Sequence, residues 1–167
     1  PVNGRFTDGQ RELYGFYLAC YQAILSSMKP NVSIRAIKEA AAGSMVRSLA
    51  SWSFSKPAYR RAAETFVADY RASAASGGML GHWVGMATHD VGGTVDLLRP
   101  GMVFTIEPAL RVPEEQIYIR LEDMLLVTKT GIENLSAFVP VEPAAIEQLM
   151  RESGILQRYP RVGSAIP

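Results

Sequence analysis

The hydrophobic periodicity of this chain changes once, at Gly77-Gly78, from a helical repeat to strand-like runs. A chain that places its helices first and its strands after is α+β. Thr7-Asp8-Gly9-Gln10 has the form of a capping box, and Leu13, Phe16, Tyr17, Cys20, Ile24 and Met28 follow at helical spacing. That pattern predicts a helix from about Asp8 to Met28, ending before Lys29-Pro30-Asn31. Ser33 suits the cap of a second helix, with Ile34, Ile37, Ala41, Met45 and Leu49 on its apolar side and a break over Ser51 to Ser55. Pro57 fits the first turn of a third, lined by Tyr59, Ala63, Phe66, Val67 and Tyr70. Beyond the glycine pair, Met102 to Ile106 and Ile117 to Thr128 predict strands. Arg99-Pro100-Gly101 and Lys129-Thr130-Gly131 read as turns, and Pro143 to Met150 as a last short helix. One domain is therefore assigned to 1–152 and an irregular tail to 153–167.

The 167 residues, 48% hydrophobic and 20% charged, suit one globular domain with a real core, not disorder or a coiled coil. A formal charge of +1 supplies no field that would gather nucleic acid or an anionic membrane, so neither is an expected partner. No apolar run reaches the roughly 20 residues of a membrane span. The chain reads as soluble, with a cytoplasmic setting favoured over a secreted one. Its lone cysteine, Cys20, excludes an intrachain disulfide and sits in an apolar helical pattern, which is a core position. Tyr14, Phe16, Tyr17 and Tyr21 read as core at helical spacing, and Arg60-Arg61 as a solvated helix face. Gly77-Gly78 lacks the lysine and hydroxyl residue of a phosphate loop. The chain begins at Pro1 without an initiator methionine, which predicts that it derives from something longer.

Both histidines, His82 and His89, fall within eight residues of each other, and the glutamates Glu107 and Glu122 follow in strand-like contexts. Imidazole with carboxylate suits divalent ions of intermediate hardness, so metal-assisted hydrolysis is the first chemistry to weigh. Along a strand, Val103, Thr105 and Glu107 share one face and Phe104 and Ile106 the other. Tyr118, Arg120 and Glu122 likewise share a face, opposed by Ile117, Ile119 and Leu121, and Arg120 with Glu122 is compatible with a plain salt bridge. The seven-residue separation of the histidines puts them on opposite faces of a regular strand. Both reach one site only if the chain loops between them, which Gly85 permits, and Asp90 beside His89 suits the orienting of an imidazole.

Five ordered segments carry a resemblance: Gly81-His82-Trp83-Val84-Gly85, His89-Asp90-Val91-Gly92, Arg99 through Pro108, Ile119-Arg120-Leu121-Glu122-Asp123, and Thr130 through Ser136. Together they closely resemble the C-terminal half of the pita-bread metallopeptidases, nearest to aminopeptidase P and prolidase, which act on bonds preceding proline. Pro1 to Thr7 matches the segment just after the family's second metal-binding aspartate. The resemblance implies a curved antiparallel sheet with flanking helices, and two divalent metal ions held by two aspartates, one histidine and two glutamates. Of these ligands His82, Glu107 and Glu122 are matched here. His89 corresponds to a histidine that contacts substrate and stabilises the tetrahedral intermediate, Arg120 to an arginine near the metals, and Glu107 also to the general base. Two ions holding a bridging hydroxide would then cleave a peptide with proline after the scissile bond. Mn is the ion expected, with Co or Zn also suited.

Two departures from the pattern bear on this expectation. Both family aspartates would lie upstream of Pro1, so the N-terminal part of the domain is expected to be missing, and with it full activity in this chain alone. Gly78 stands where family members often carry a histidine beside the proline subsite. A half-domain would leave a sheet edge and an apolar face uncovered, which predicts a homo-oligomer. The alternatives to an Xaa-Pro aminopeptidase are a prolidase, a creatinase-like enzyme or lyase on the same fold, and a binding module without catalysis.

Overall fold

The computed structural model describes Pro1 and residues 3–154. Three helices, α1 (Asp8–Ser27), α2 (Ile34–Ser51) and α3 (Pro57–Ser76), come first. The strands β1 (Val103–Ile106), β2 (Ala109–Val112), β3 (Ile117–Arg120), β4 (Asp123–Val127) and β5 (Ile132–Asn134) follow, then helix α4 (Pro143–Leu149). The α+β reading and the helix boundaries hold to within a residue or two. The predicted tail falls almost wholly on residues 155–167, outside the described residues.

Local signals account for the helices. At α1 both arms of the capping box form: Thr7 Oγ1 accepts from Gln10 N–H, and Gln10 Oε1 from Thr7 N–H. Ser33 Oγ accepts from Ala36 N–H at the start of α2, and Pro57 opens α3. Leu13, Phe16, Tyr17, Cys20, Ile24, Ile37, Met45 and Ala63 are buried where the three helices meet. Burial pushes the Cys20 thiol up to about 12, as befits a packed side chain and not a nucleophile. Lys38 is also buried, and its ammonium donates to Gly77 O (3.2 Å) at the C-terminal end of α3. No helix among the described residues is long and apolar enough to cross a membrane.

The strand half differs from expectation in two respects. The run from Ile117 to Thr128 is not one strand: it breaks at Leu121-Glu122 into β3, paired with β2, and β4, paired with β1 and β5, all antiparallel. In addition β2, which composition did not flag, continues β1 after an interruption at Glu107-Pro108. The turn joining β2 to β3 is the 3-10 segment Pro113–Glu115, with Gln116 left-handed at φ 54. Between Gly77 and Met102 the chain has no regular element, only isolated bridges such as Trp83 with Phe104.

The two breaks lie opposite one another in a single register. Ile106 pairs with Asp123 and Ala109 with Arg120, so the same count sets Glu107 across from Glu122 and Pro108 across from Leu121. The structure is one long hairpin opened in the middle. Phe104, Ile106, Leu110, Val112, Leu125 and Val127 form its buried face in a common core with the helices. Thr105, Glu107, Arg120 and Glu122 occupy the other face, as strand alternation predicts.

Candidate metal centre

The opened rung of the hairpin is where the carboxylates collect. His82 joins them because the segment preceding it lies along β1: Thr105 N–H donates to His82 O (2.9 Å), and His82 N–H donates to Thr105 Oγ1 (3.2 Å). A Cβ at Gly81 would overlap the Thr105 carbonyl oxygen, so only glycine permits this approach. Thr105, buried beneath the segment, was not singled out from sequence, although it shares a face with Glu107.

His82 Nε2 stands 3.3 Å from Glu107 Oε1 and 3.4 Å from Glu122 Oε1. Its Nδ1 lies 3.0 Å from Trp83 O. A carbonyl only accepts, so that contact assigns the proton to Nδ1 and leaves a lone pair on Nε2. That lone pair then faces the Glu107 and Glu122 carboxylate oxygens at 3.3 and 3.4 Å, an arrangement that a metal ion between them would satisfy. Ligand atoms about 2.0–2.2 Å from a metal ion stand roughly 3–3.5 Å from their neighbours around it. The donor set, and the spacing of His82 Nε2 from each of the two carboxylate oxygens, therefore fit a divalent ion.

The remaining Glu107 oxygen, Oε2, accepts from Arg120 Nη1 at 2.5 Å. Arg120 thus pairs across the hairpin with Glu107 and not along its own strand with Glu122, which corrects the plain salt-bridge reading. Opposite Glu107 on this face lies Glu122, and Arg120 is its diagonal neighbour, a distance long side chains span.

The loop from 83 to 93 turns back so that the His89 ring meets the His82 ring edge to face, centroids 4.5 Å apart at 84°. Ligating atoms of His82, His89 and Glu107 all lie within 4.8 Å of one another, with His89 the exposed member. Gly85 enables the loop, as expected, by leaving room: a Cβ there would overlap the Asp90 carboxylate. Asp90 does not orient His89. Its oxygens accept instead from Met86 N–H (2.7 Å) and Val91 N–H (2.8 Å), closing the loop on its own backbone.

Behind the carboxylates, on the helix side, two α1 hydroxyls reach the strands. Tyr17 Oη donates to Pro108 O and accepts from Leu121 N–H, both at 2.7 Å. Tyr21 Oη donates to the buried Asp123 carboxylate (2.6 Å), which also accepts from Ser136 Oγ (2.7 Å). Sequence reading placed both tyrosines in the core, where they are, without a signal for what their hydroxyls would meet.

The profile of metallopeptidase family M24 matches residues 2–129. The chain is 37% identical over 164 residues to the Xaa-Pro aminopeptidase of Escherichia coli (strain K12), covering 90% of this chain and 36% of that protein. It is 33% identical over 165 residues to Xaa-Pro aminopeptidase 2 of Streptomyces coelicolor, covering 90% and 34%. Among solved structures, zinc-substituted E. coli aminopeptidase P in complex with product superposes with a TM-score of 0.65 at 36% identity, over 90% of this chain and 36% of that one. The chain thus spans about a third of the length of the relatives it matches.

Proposed function

This chain belongs to metallopeptidase family M24 and has its pita-bread α+β architecture; from that premise we propose that it forms part of a metal-dependent Xaa-Pro aminopeptidase in which His82, Glu107 and Glu122 are metal ligands. The observation that carries this reading is the placement of His82 Nε2 at 3.3 Å from Glu107 Oε1 and 3.4 Å from Glu122 Oε1, an imidazole lone pair facing two carboxylates. A divalent ion held there would supply a Lewis acid for the scissile carbonyl and make water a better nucleophile at neutral pH. Manganese is the ion we name, since a mixed imidazole and carboxylate set suits it, with cobalt or zinc also accommodated. The family pattern calls for a second ion, whose further carboxylates would come from outside the group gathered here.

The side chains divide the remaining work. Arg120 neutralises Glu107 at Oε2 and fixes its plane, leaving Oε1 turned toward the centre, where Glu107 also accepts a proton from the attacking water. Trp83 O holds the His82 tautomer through Nδ1. His89, exposed and edge-on to His82, is on the substrate side and donates to the oxygen that gains charge as the carbonyl is attacked. The substrate is a peptide with proline after the scissile bond, by likeness to the Xaa-Pro aminopeptidases. Exposed Tyr118, Phe138 and Val139 support self-association, which light scattering across a concentration series tests directly.

The deciding experiment titrates the chain with Mn²⁺, followed by electron paramagnetic resonance, against His82→Ala and Glu122→Ala. Each substitution is expected to weaken binding about 100-fold while leaving helix content intact. Binding unchanged in both variants would remove the metal centre from this reading. Hydrolysis of an Xaa-Pro peptide, assayed on the longer protein, then tests the reaction.

A further inference from the structure

The middle of the hairpin is held open from behind. Val127 N–H donates to Met102 O, so ladder alternation puts the hydrogen-bonded rungs at Phe104 with Leu125, Ile106 with Asp123, and Pro108 with Leu121. Proline has no N–H to give, which leaves one possible cross-strand bond at that last rung, from Leu121 N–H to Pro108 O. The Tyr17 hydroxyl occupies its place, accepting from Leu121 and donating to Pro108. Two bonds in series through an oxygen set the nitrogen and carbonyl oxygen about 4–5 Å apart, where a direct bond would hold them at about 2.9 Å. The adjoining pair is Glu107 with Glu122, whose rung is of the non-hydrogen-bonded kind in which side chains crowd most closely. Unopened, that rung would press two carboxylates together with no room for an ion between them.

Helix α1 matches the strand as a ruler. Tyr17 and Tyr21 are one turn apart, about 6 Å along the helix, and their hydroxyls meet Leu121 and Asp123, two residues and about 6.7 Å apart along the strand. Glu122 lies between these two anchor points. Both rings are buried, and they stack with centroids 6.2 Å apart.

We propose that Tyr17 is a positioning residue of the metal centre, its hydroxyl serving as a spacer that parts the hairpin at Pro108 and Leu121 and so sets the separation of Glu107 and Glu122. This rests on the metal-ligand reading of those glutamates. Without the hydroxyl the strands close onto a direct Leu121 to Pro108 bond, the glutamates crowd, and the ion is bound less well. Tyr17 acts through the backbone and touches neither ion nor substrate.

The test compares Tyr17→Phe with Tyr14→Phe in the full chain. Tyr14 lies on the same helix and also loses one buried hydroxyl bond, to Val141 O (2.6 Å), at the α4 side and away from the glutamates. The metal-free readout is the nuclear Overhauser effect between the α protons of Glu107 and Glu122, expected to strengthen in Tyr17→Phe and to stay unchanged in Tyr14→Phe. The second readout is Mn²⁺ affinity, expected to fall about 10-fold in Tyr17→Phe and to stay within about twofold in Tyr14→Phe. An unchanged cross-strand signal in Tyr17→Phe overturns the proposal, as does an equal loss of affinity in both variants. If wild-type chain binds Mn²⁺ no better than His82→Ala, the metal reading fails while the cross-strand signal still decides whether Tyr17 spaces the strands.

Discussion

The helical half and the loop that carries the histidines are held together in opposite ways. Across α1 to α3 the side chains of Leu13, Phe16, Tyr17, Ile37, Met45 and Ala63 are fully withdrawn from water, and each helix is started by its own local signal. From 83 to 93 the apolar side chains of Met86 and Val91 are fully exposed, and order comes from Asp90 bonding backbone N–H groups and from glycines that let segments touch. Packing is thus concentrated in the helical half, while the loop contributes His89 to a site whose carboxylates stand on the hairpin. Binding residues on a loop set against a rigid scaffold can adjust to a substrate without putting the fold at risk.

The largest effect that sharpens this contrast belongs to the scaffold. Ile37→Ala deletes a wholly buried side chain of α2 and is expected to cost about 2–5 kcal/mol of global stability. Urea unfolding followed by circular dichroism measures it. The His82 to His89 ring contact, read by proton nuclear Overhauser effects at low denaturant, should survive while the fold does. If that contact vanished first, the loop would be as tightly coupled to the helical core as the helices are to one another, and the contrast would fail.

Gly81→Ala works from the other side and is smaller. The added Cβ meets backbone, the Thr105 carbonyl, which cannot rotate away, so the segment bearing His82 has to move off β1. The expected cost is about 1–3 kcal/mol, confined to that segment. Amide exchange at Thr105 should accelerate and Mn²⁺ affinity fall, with the exchange of α1 to α3 unaltered. Faster exchange throughout the helices would place the His82 segment inside the cooperative core.

The same division decided what could be read from the sequence. Thr7 with Gln10, Ser33 and Pro57 act on neighbours within four residues, so the helix starts were legible. His82, Glu107 and Glu122 were identified by motif, and face alternation correctly placed Glu107 with Thr105 and Glu122 with Arg120. Their juxtaposition depends on the hairpin register, fixed by the Pro113–Glu115 turn and left-handed Gln116. A proline followed by two acidic residues and a glutamine between aliphatic runs was the available signal for that turn. The break at Leu121-Glu122 was not legible, because it needs a tyrosine about a hundred positions earlier in the chain to replace a strand hydrogen bond. Asp90 misled for a related reason: adjacency to His89 suggested an orienting carboxylate, whereas the backbone N–H groups of the loop were nearer.

The smallest effect is silent at neutral pH and appears only in alkali. Burial first, with the Glu142 charge adding to it, pushes the Tyr14 phenol up to about 12, and burial likewise raises Tyr17, Tyr21 and Tyr70 above their ordinary value near 10. A group with a raised folded value contributes stability that is complete below its unfolded value and is lost as pH climbs through the folded one. Cys20, raised from 9.0 to about 12, begins to draw on stability from about pH 9, and the tyrosines follow from about pH 10. Lys38 runs the other way. Burial lowers its value below 10.5, so the cost of keeping it charged is relieved as pH rises toward that figure. Thermal unfolding should therefore show a plateau to about pH 9 and a progressive fall beyond it, shallower in Tyr14→Phe. These groups all lie in the helical half, so the His82 to His89 contact should persist until the helices themselves melt. Loss of that contact near pH 10 with helix content intact would mean that the loop carries an alkaline transition of its own, and the two regions would then be separable by pH as well as by packing.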